Sequence, residues 1–291
     1  MKVSGFSIIK NAVKYSYPIV ESIRSALPLC DEFVIAVGDS NDGTKELIQS
    51  INDPKIRIID TVWDESINTK GKVLAVETDK AFNAISPDSD WAFYIQADEV
   101  LHEKDIDTIK EAMAKHKDDL NVDGLLFHYW HFWGSYDYVG DASRWYRNEI
   151  RIIRNRKGIY SYRDAQGFRK DKNQKLNVKP IEAHIYHYGW VRAPKTMYNK
   201  DMGVKKYWSE EGYDEKKMLF DKADFDYHKI DILQKFHGTH PAVMQKRIAE
   251  KDWKFEYDVS MNKIKLKDRF KRLVEKITGK RLFYYKNYRV V

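Results

Sequence analysis

Apolar residues in the first hundred positions follow two alternating spacings. The pattern predicts a strand at 3–9, and the continuous apolar run at 33–37 is typical of a buried strand in a parallel sheet. Residues 19–27 carry apolar side chains at helical spacing. The pattern then predicts a short helix at 44–51, a strand at 55–60, a helix at 72–85 and a strand at 91–95. Strands that alternate with helices predict an α/β fold with a mainly parallel sheet flanked by helices.

Beyond residue 123 the spacing changes. Strand-like runs occur at 124–132, 149–154 and 182–188, and an aromatic loop follows the first of them. From residue 193 the chain becomes helical and charged, most clearly at 197–208 and 241–251. We therefore predict a core over residues 1–195 and a helical, basic extension over residues 196–291.

Composition indicates the compartment in which the protein works and whether it spans a membrane. The net charge is +7, and aromatic residues make up 14% of the chain. The single cysteine, Cys30, excludes an internal disulfide and is typical of a reducing compartment. The first 13 residues do not resemble a signal peptide, and no run approaches the ~20 apolar residues that span a bilayer. We expect a cytoplasmic protein, either soluble or peripheral at the inner face of the membrane.

Polar residues follow the predicted strands at the sheet edge where ligands bind in α/β proteins. Gln96-Ala97-Asp98-Glu99 comes after one strand, and its carboxylates suit Mg²⁺ or Mn²⁺. The same acids equally fit a helix N-terminal cap. The turn 38–44, with Asp39 and Asp42, offers groups for a ribose or a base edge, although these are also ordinary turn-forming residues.

The order of several motifs resembles the family-2 glycosyltransferases. They are the Asp42-Gly43-Thr44 turn, the helix near 71–85, the D-x-D-like residues 96–99, the Arg-Asn strand 149–155 and His184-x-x-His187-Tyr188-Gly189. The resemblance covers roughly residues 3–200. It implies a GT-A fold and inverting, metal-assisted transfer of a sugar from a nucleoside-diphosphate sugar to a glycan, lipid-linked or protein acceptor, as in polysaccharide biosynthesis.

The resemblance also implies roles for individual residues. Asp98 matches the last aspartate of the D-x-D motif, which holds the metal, and the predicted metal ligands are Asp98, Glu99 and His187. The predicted donor-binding residues are Asp39, Asp42, Gly71, Lys72 and Gln96. His184 competes with His187, but residues three apart on a strand face opposite ways, so one of the two points into the site. The chain departs from the family at Gln96, which replaces an acid, and at Val37-Gly38, where an acid usually reads the base.

Direct displacement requires a general base for the acceptor hydroxyl. Asp164 is the first candidate, with Glu149 and Asp141 as alternatives. Asp164 equally fits a loop ion pair with Arg163 or Arg169. The aromatic loop at 130–145 fits either an acceptor platform or core packing. His128-x-x-His131 has metal-like spacing, but on a strand its members face opposite ways, and we discount it as a metal pair.

Two other classes of function compete. A nucleotidyltransferase shares the fold but usually has a glycine-rich loop after the first strand, where this chain has Ile9-Lys10-Asn11. A non-catalytic binding protein leaves the acidic strand ends unexplained. The segment 263–277 has apolar residues at helical spacing among basic ones, which predicts either packing on the domain or contact with anionic lipid. We expect no nucleic-acid partner.

Overall fold

The first half of the chain folds as the apolar pattern predicts. In a computed structural model, which describes residues 1–67, 69–142, 144–208, 224–230, 232–262, 264, 266–278 and 285–291, strands and helices alternate. They are β1 (Val3–Ile9), α1 (Ile19–Ala26), β2 (Glu32–Val37), α2 (Thr44–Gln49), β3 (Ile56–Asp60), α3 (Lys72–Asn83) and β4 (Trp91–Tyr94). The four strands are parallel and lie in the order β3-β2-β1-β4. The predicted α/β fold is confirmed.

The middle of the chain extends this sheet with antiparallel strands. Its elements are β5 (Glu99–Leu101), α4 (Ile106–His116), β6 (Gly124–Trp133), β7 (Tyr138–Gly140), β8 (Asn148–Arg154), β9 (Ile159–Tyr162), β10 (Gly167–Lys170), β11 (Gln174–Lys175) and β12 (Asn177–Trp190). β8 runs antiparallel to both β4 and β6, whereas β12 runs parallel to β6. β9, β10 and β11 form a small separate sheet. The large sheet is therefore mixed, and its parallel character lies mainly in the first half.

The C-terminal part adds helices and two short strands. Its described elements are α5 (Pro194–Lys205), β13 (Leu233–Lys235), α6 (Gln245–Ala249), α7 (Leu266–Thr278) and β14 (Arg289–Val290). β13 pairs with β7 and β14 with β12, so the chain returns to the large sheet twice after residue 195. A division at residue 195 stays a prediction. Within the described residues, no helix is both long enough and apolar enough to cross a membrane.

Alternation along the strands builds a core on each face of the sheet. In β2, Phe33 and Ile35 belong to one apolar cluster, and Val34 and Ala36 belong to another. Because successive side chains of a strand point to opposite faces, the two clusters lie on opposite sides of the sheet. All four side chains are fully buried, which is why β2 reads as a continuous apolar run. Cys30 is also buried.

The topology brings distant segments to one edge. β1 and β4 are neighbours, so their carboxyl ends lie side by side, and the turn 95–98 leaves the sheet there. β5 then pairs with β12, which places Glu99 opposite His187. The sheet order thus joins the acidic turn to the late histidine strand, although the two are far apart in sequence.

Candidate active site

A cavity of about 380 Å³ opens at the carboxyl ends of β1 and β4. Its polar lining residues are Lys10, Gln96, Asp98, His131, Asp164, His187 and Lys200. Its aromatic lining residues are Tyr17, Trp63, Tyr94, Trp145, Tyr146, Trp190 and Trp208. Ring walls with a few converging polar groups are typical of a ligand site. The cavity also lies where α/β sheets bind their ligands.

Asp98 is the charged centre of this cavity. Its Oδ2 lies 3.2 Å from Nζ of Lys200 on α5, and its Oδ1 lies 3.7 Å from Nε2 of His187 on β12. Burial is the largest single influence on Asp98 and would raise its pKa, but the charge and hydrogen bond of Lys200, with His187 and Arg192, together outweigh it and hold the pKa well below its usual range. Asp98 is therefore an anion, and its two oxygens face different partners.

Lys200 comes from outside the motifs found in the sequence. Its Nζ also donates to the Gly189 carbonyl at 2.8 Å and lies 5.0 Å from the centre of the Tyr17 ring. Burial lowers the pKa of Lys200 to about 8, and Arg192 adds to the effect while Asp98 opposes it. The cavity thus holds a buried ammonium beside a buried carboxylate.

A hydrogen-bond chain sets the proton positions on His187. His131 Nε2 lies 2.8 Å from the Tyr146 carbonyl, which can only accept, so this nitrogen carries the proton. Burial lowers the pKa of both histidines, which favours neutral rings. His131 Nδ1 then accepts from His187 Nδ1 at 3.0 Å, and this arrangement leaves a lone pair on His187 Nε2, facing Asp98. Metal-binding histidines are typically held in this way by a second hydrogen bond.

Asp98 and His187 are the two side chains that would hold a divalent cation here, and the described residues contain no group of three or more His, Cys, Asp or Glu side chains placed to hold one. Six-coordinate Mg²⁺ holds oxygen ligands at about 2.0–2.1 Å, so neighbouring ligands lie roughly 3 Å apart. The 3.7 Å between Asp98 Oδ1 and His187 Nε2 is wider than that spacing, so the two side chains would move closer together to share an ion. Gly189 leaves the space open, because a Cβ there would collide with His187 Nε2 and lie 3.0 Å from Asp98 Oδ2.

Glu99, predicted as a third metal ligand, has a different role in the structure. It is fully buried, and Arg151 binds it through two nitrogens at 2.7 and 2.8 Å. The Tyr129 hydroxyl and the Gln96 backbone N–H also donate to its carboxylate. With four donors, its oxygens are occupied. The pair instead fixes the turn that carries Asp98, and removing one partner of such a buried pair costs about 3–5 kcal/mol.

Asp164 lines the cavity from the turn between β9 and β10. Its neighbours Arg163 and Ala165 have φ of 58° and 60°, a strained conformation for residues other than glycine. Gly71, at φ 70°, allows α3 to approach, because a Cβ there would lie 2.7 Å from Cβ of Asp164. Burial raises the pKa of Asp164. Gly71 therefore supports the Asp164 turn.

Glu149, the alternative base, lies behind the cavity and does not line it. It is 1% exposed, and the Ile150 N–H and Gln166 Nε2 donate to its carboxylate at 2.9 and 3.0 Å. Burial raises its pKa to about 7, against the opposing charge of Arg151. This geometry gives Glu149 a structural role rather than that of a base. Asp141, the other alternative, is also absent from the lining; it pairs with Arg147.

We predict that Glu149→Gln stabilises the protein at alkaline pH. The native state holds the Glu149 proton until about pH 7, whereas the unfolded chain releases it near its ordinary value of 4.5. The wild-type protein therefore loses stability as pH rises through this window, and glutamine removes the loss. The free energy of unfolding of the variant, measured with urea, should gain on the order of 2–3 kcal/mol relative to wild type between about pH 5 and about pH 8. A constant difference across that range would contradict the prediction.

Four of the five predicted donor-binding residues are absent from the cavity lining, namely Asp39, Asp42, Gly71 and Lys72. The Asp42 carboxylate accepts from the Lys14 N–H at 2.7 Å and from the Thr44 N–H and hydroxyl, so it holds the turn, as in the alternative interpretation. Lys72 is exposed at the start of α3. Asp39 is exposed near the cavity and pairs at 2.8 Å with the lining residue Lys10.

Gln96 does line the cavity, as the donor-binding prediction requires. Its Nε2 donates to the Ala165 carbonyl at 3.3 Å. This bond ties the turn after β4 to the Asp164 turn, so the two chemically important turns are held together.

Different residues of the aromatic loop fit the two predicted roles, core packing and an acceptor platform. Trp133, Tyr136 and Tyr138 are buried in apolar clusters, whereas Trp145 lines the cavity. Trp130 stacks on His184, with ring centres 5.4 Å apart. Most of its aromatic rings are core, and Trp145 at its end reaches the cavity.

Strand register determines which histidines of β6 and β12 line the cavity. Parallel pairing of β6 with β12 sets His128 beside His184 and His131 beside His187. The first pair faces away from the cavity, and the second lines it. His131 therefore lies in the cavity lining, although the His128-x-x-His131 spacing was discounted as a metal pair. Lys200 and Trp63 also line the cavity, and the sequence offers no signal for them beyond residue type.

Comparisons with known proteins found matches of low similarity among solved structures. No family model matches the chain, and no curated protein is similar to it. S. aureus TarS (residues 1–349) has a similar structure, at 15% identity and a TM-score of 0.41 over 70% of this chain and 64% of that one. Glucosyl-3-phosphoglycerate synthase from Mycobacterium tuberculosis, in complex with Mn²⁺, UDP and phosphoglyceric acid, is 16% identical over 44% of this chain and 43% of that one, at a TM-score of 0.32.

A different class of enzyme is similar to a comparable degree. 4-Diphosphocytidyl-2C-methyl-D-erythritol synthase from Anaerococcus prevotii is 12% identical over 53% of this chain and 70% of that one, at a TM-score of 0.35. The chain spans less than two-thirds of the TarS chain and less than half of the glucosyl-3-phosphoglycerate synthase. The predicted resemblance to GT-A glycosyltransferases is confirmed as a resemblance in structure. Scores this low carry no argument about activity, which rests on the residues of the site.

Proposed function

We propose that this protein transfers a sugar from a nucleoside-diphosphate sugar to a hydroxyl acceptor, assisted by a divalent cation. The observation that carries the proposal is the meeting of Asp98, His187 and Lys200 in one aromatic-walled cavity at the carboxyl ends of parallel strands. An anion, a neutral imidazole and a buried ammonium at one point suit a metal–diphosphate group.

Asp98 Oδ1 and His187 Nε2 would hold the cation, which would neutralise charge on the departing diphosphate. Lys200 adds a positive charge from the opposite side of Asp98, 3.2 Å from Oδ2. In a partly buried site such charges act more strongly than in water and need little reorganisation. The residues of this chain therefore provide positive charge where the leaving group develops negative charge.

Asp164 is the proposed base. During direct displacement the acceptor oxygen forms a bond to the sugar carbon as the bond to the diphosphate breaks, and the hydroxyl proton passes to Asp164. Burial raises the pKa of Asp164, which makes it a stronger base than an exposed aspartate. Trp145, Trp190 and Trp208 line the same cavity, and their rings suit the C–H faces of sugars.

The loop after β1 argues against nucleotidyl transfer. Such enzymes cradle a triphosphate with free backbone N–H groups. Here the N–H groups of Asn11 and Ala12 donate to the Ser40 and Thr44 hydroxyls at 2.9 and 2.7 Å, and that of Lys14 donates to Asp42. These amides are already used within the protein.

A nucleotide panel tests the proposal. UDP, GDP, CDP and dTDP are added with and without Mn²⁺, and the melting temperature is recorded. One diphosphate at about 100 times its Kd should stabilise the protein by about 2.7 kcal/mol, a rise of several degrees. The rise should require Mn²⁺, and the matching monophosphate should give less, since it lacks the second phosphate. If no diphosphate shifts the melting temperature in either condition, the proposal is wrong.

A further inference from the structure

Helix α7 turns its apolar side outward. Phe270, Leu273 and Ile277 are 61%, 55% and 73% exposed, and their spacing of three and four residues places them on one face. Lys271, Val274 and Glu275 are half-buried. A helix that packs on its own domain normally buries its apolar stripe. The outward stripe of Phe270, Leu273 and Ile277 therefore lacks cover within the described residues.

The residues in and around α7 also carry the excess positive charge of the chain. The basic segment, defined as residues 263–281, contains nine basic and two acidic residues, a net charge of +7. That value equals the net charge of the whole chain, so the remaining residues are electrically balanced. A concentrated charge of one sign beside an exposed apolar stripe indicates a partner that is both anionic and apolar.

We propose that α7 binds the surface of an anionic phospholipid bilayer, with the outward stripe inserted at the acyl boundary and the basic segment against the headgroup phosphates. Nucleic acid would match the charge but offers no apolar layer for Phe270 and its neighbours. A second copy of this chain would match the stripe, but it would bring the same +7 charge to the contact. A lipid surface satisfies both features at once.

Vesicle sedimentation with the full chain tests this proposal. Vesicles of phosphatidylglycerol and phosphatidylcholine should bind the protein at least tenfold more strongly than vesicles of phosphatidylcholine alone. Raising NaCl from about 0.1 M to about 0.5 M should weaken binding severalfold, because the screening length falls from about 10 Å toward 4 Å. Equal binding to both vesicle types would overturn the proposal.

A matched pair of variants tests the outward stripe. Ile277→Ser should reduce vesicle binding severalfold and the triple change F270S/L273S/I277S at least tenfold. Leu120→Ser removes an equally exposed apolar side chain, at 76% against 73%, and should leave binding unchanged. Retained binding by the triple variant would overturn the proposal. The proposal would also be overturned if the protein failed to bind vesicles but formed a dimer by light scattering or a complex in a DNA shift assay. Failure of the nucleotide panel leaves this test unaffected, since α7 is absent from the cavity lining.

Discussion

Asp98→Asn is expected to raise the Kd of the preferred nucleoside diphosphate in Mn²⁺ at least about 100-fold, because loss of even an indirect metal partner typically costs 10–100-fold. The amide keeps the size of the side chain and can still accept from Lys200, but it removes the anion that faces His187. Titration calorimetry with and without Mn²⁺ measures the change. Without Mn²⁺ the two proteins should bind the nucleotide similarly.

One further variant and two controls accompany this prediction. His187→Ala should also lose Mn²⁺-dependent binding, whereas His184→Ala, on the other face of the same strand, should retain it. Glu182→Gln changes an exposed acid on β12 and should bind like wild type. Mn²⁺-dependent affinity that survives in Asp98→Asn would exclude Asp98 as the cation ligand.

Asp164→Asn should lower kcat by about 10²–10⁴-fold, the usual contribution of a positioned general base. Asparagine has nearly the same shape but cannot take the acceptor proton. The Kd of the donor should change little, because Asp98, His187 and Lys200 remain in place. Release of nucleoside diphosphate from an active donor–acceptor pair measures kcat, and calorimetry measures donor affinity.

Glu149→Gln is the matched control, because this buried acid lies close to the site but outside the cavity lining. It should retain most of the wild-type kcat. Loss of turnover in Glu149→Gln together with normal turnover in Asp164→Asn would reverse the assignment of the base.

The first half of the fold was predictable because its signals are local. β2 is buried on both faces and is therefore apolar at every central position, and a helix such as α3 needs only its own spacing to be recognised. The two short strands β13 and β14 were missed, since two or three residues hold too little pattern. Their pairing depends on partners that lie far away in sequence.

The site was only partly predictable for a related reason. Asp98 and His187 stand in recognisable motifs, and the structure brings them together at 3.7 Å. Glu99 stands in the same motif, yet its carboxylate is bound by Arg151. Which of two adjacent acids meets the cavity depends on the direction of each side chain, and residue type alone does not contain that direction.

By itself the sequence determined the alternation of strands and helices, the location of the acidic turn and the segregation of charge into residues 263–281, because each is a property of neighbouring residues. Only the tertiary structure decided that His131 supports His187, that Lys200 reaches Asp98 and that the stripe of α7 faces outward. These features follow from strand register and helix packing. Both are set by contacts between residues that are distant in sequence, so no local pattern records them.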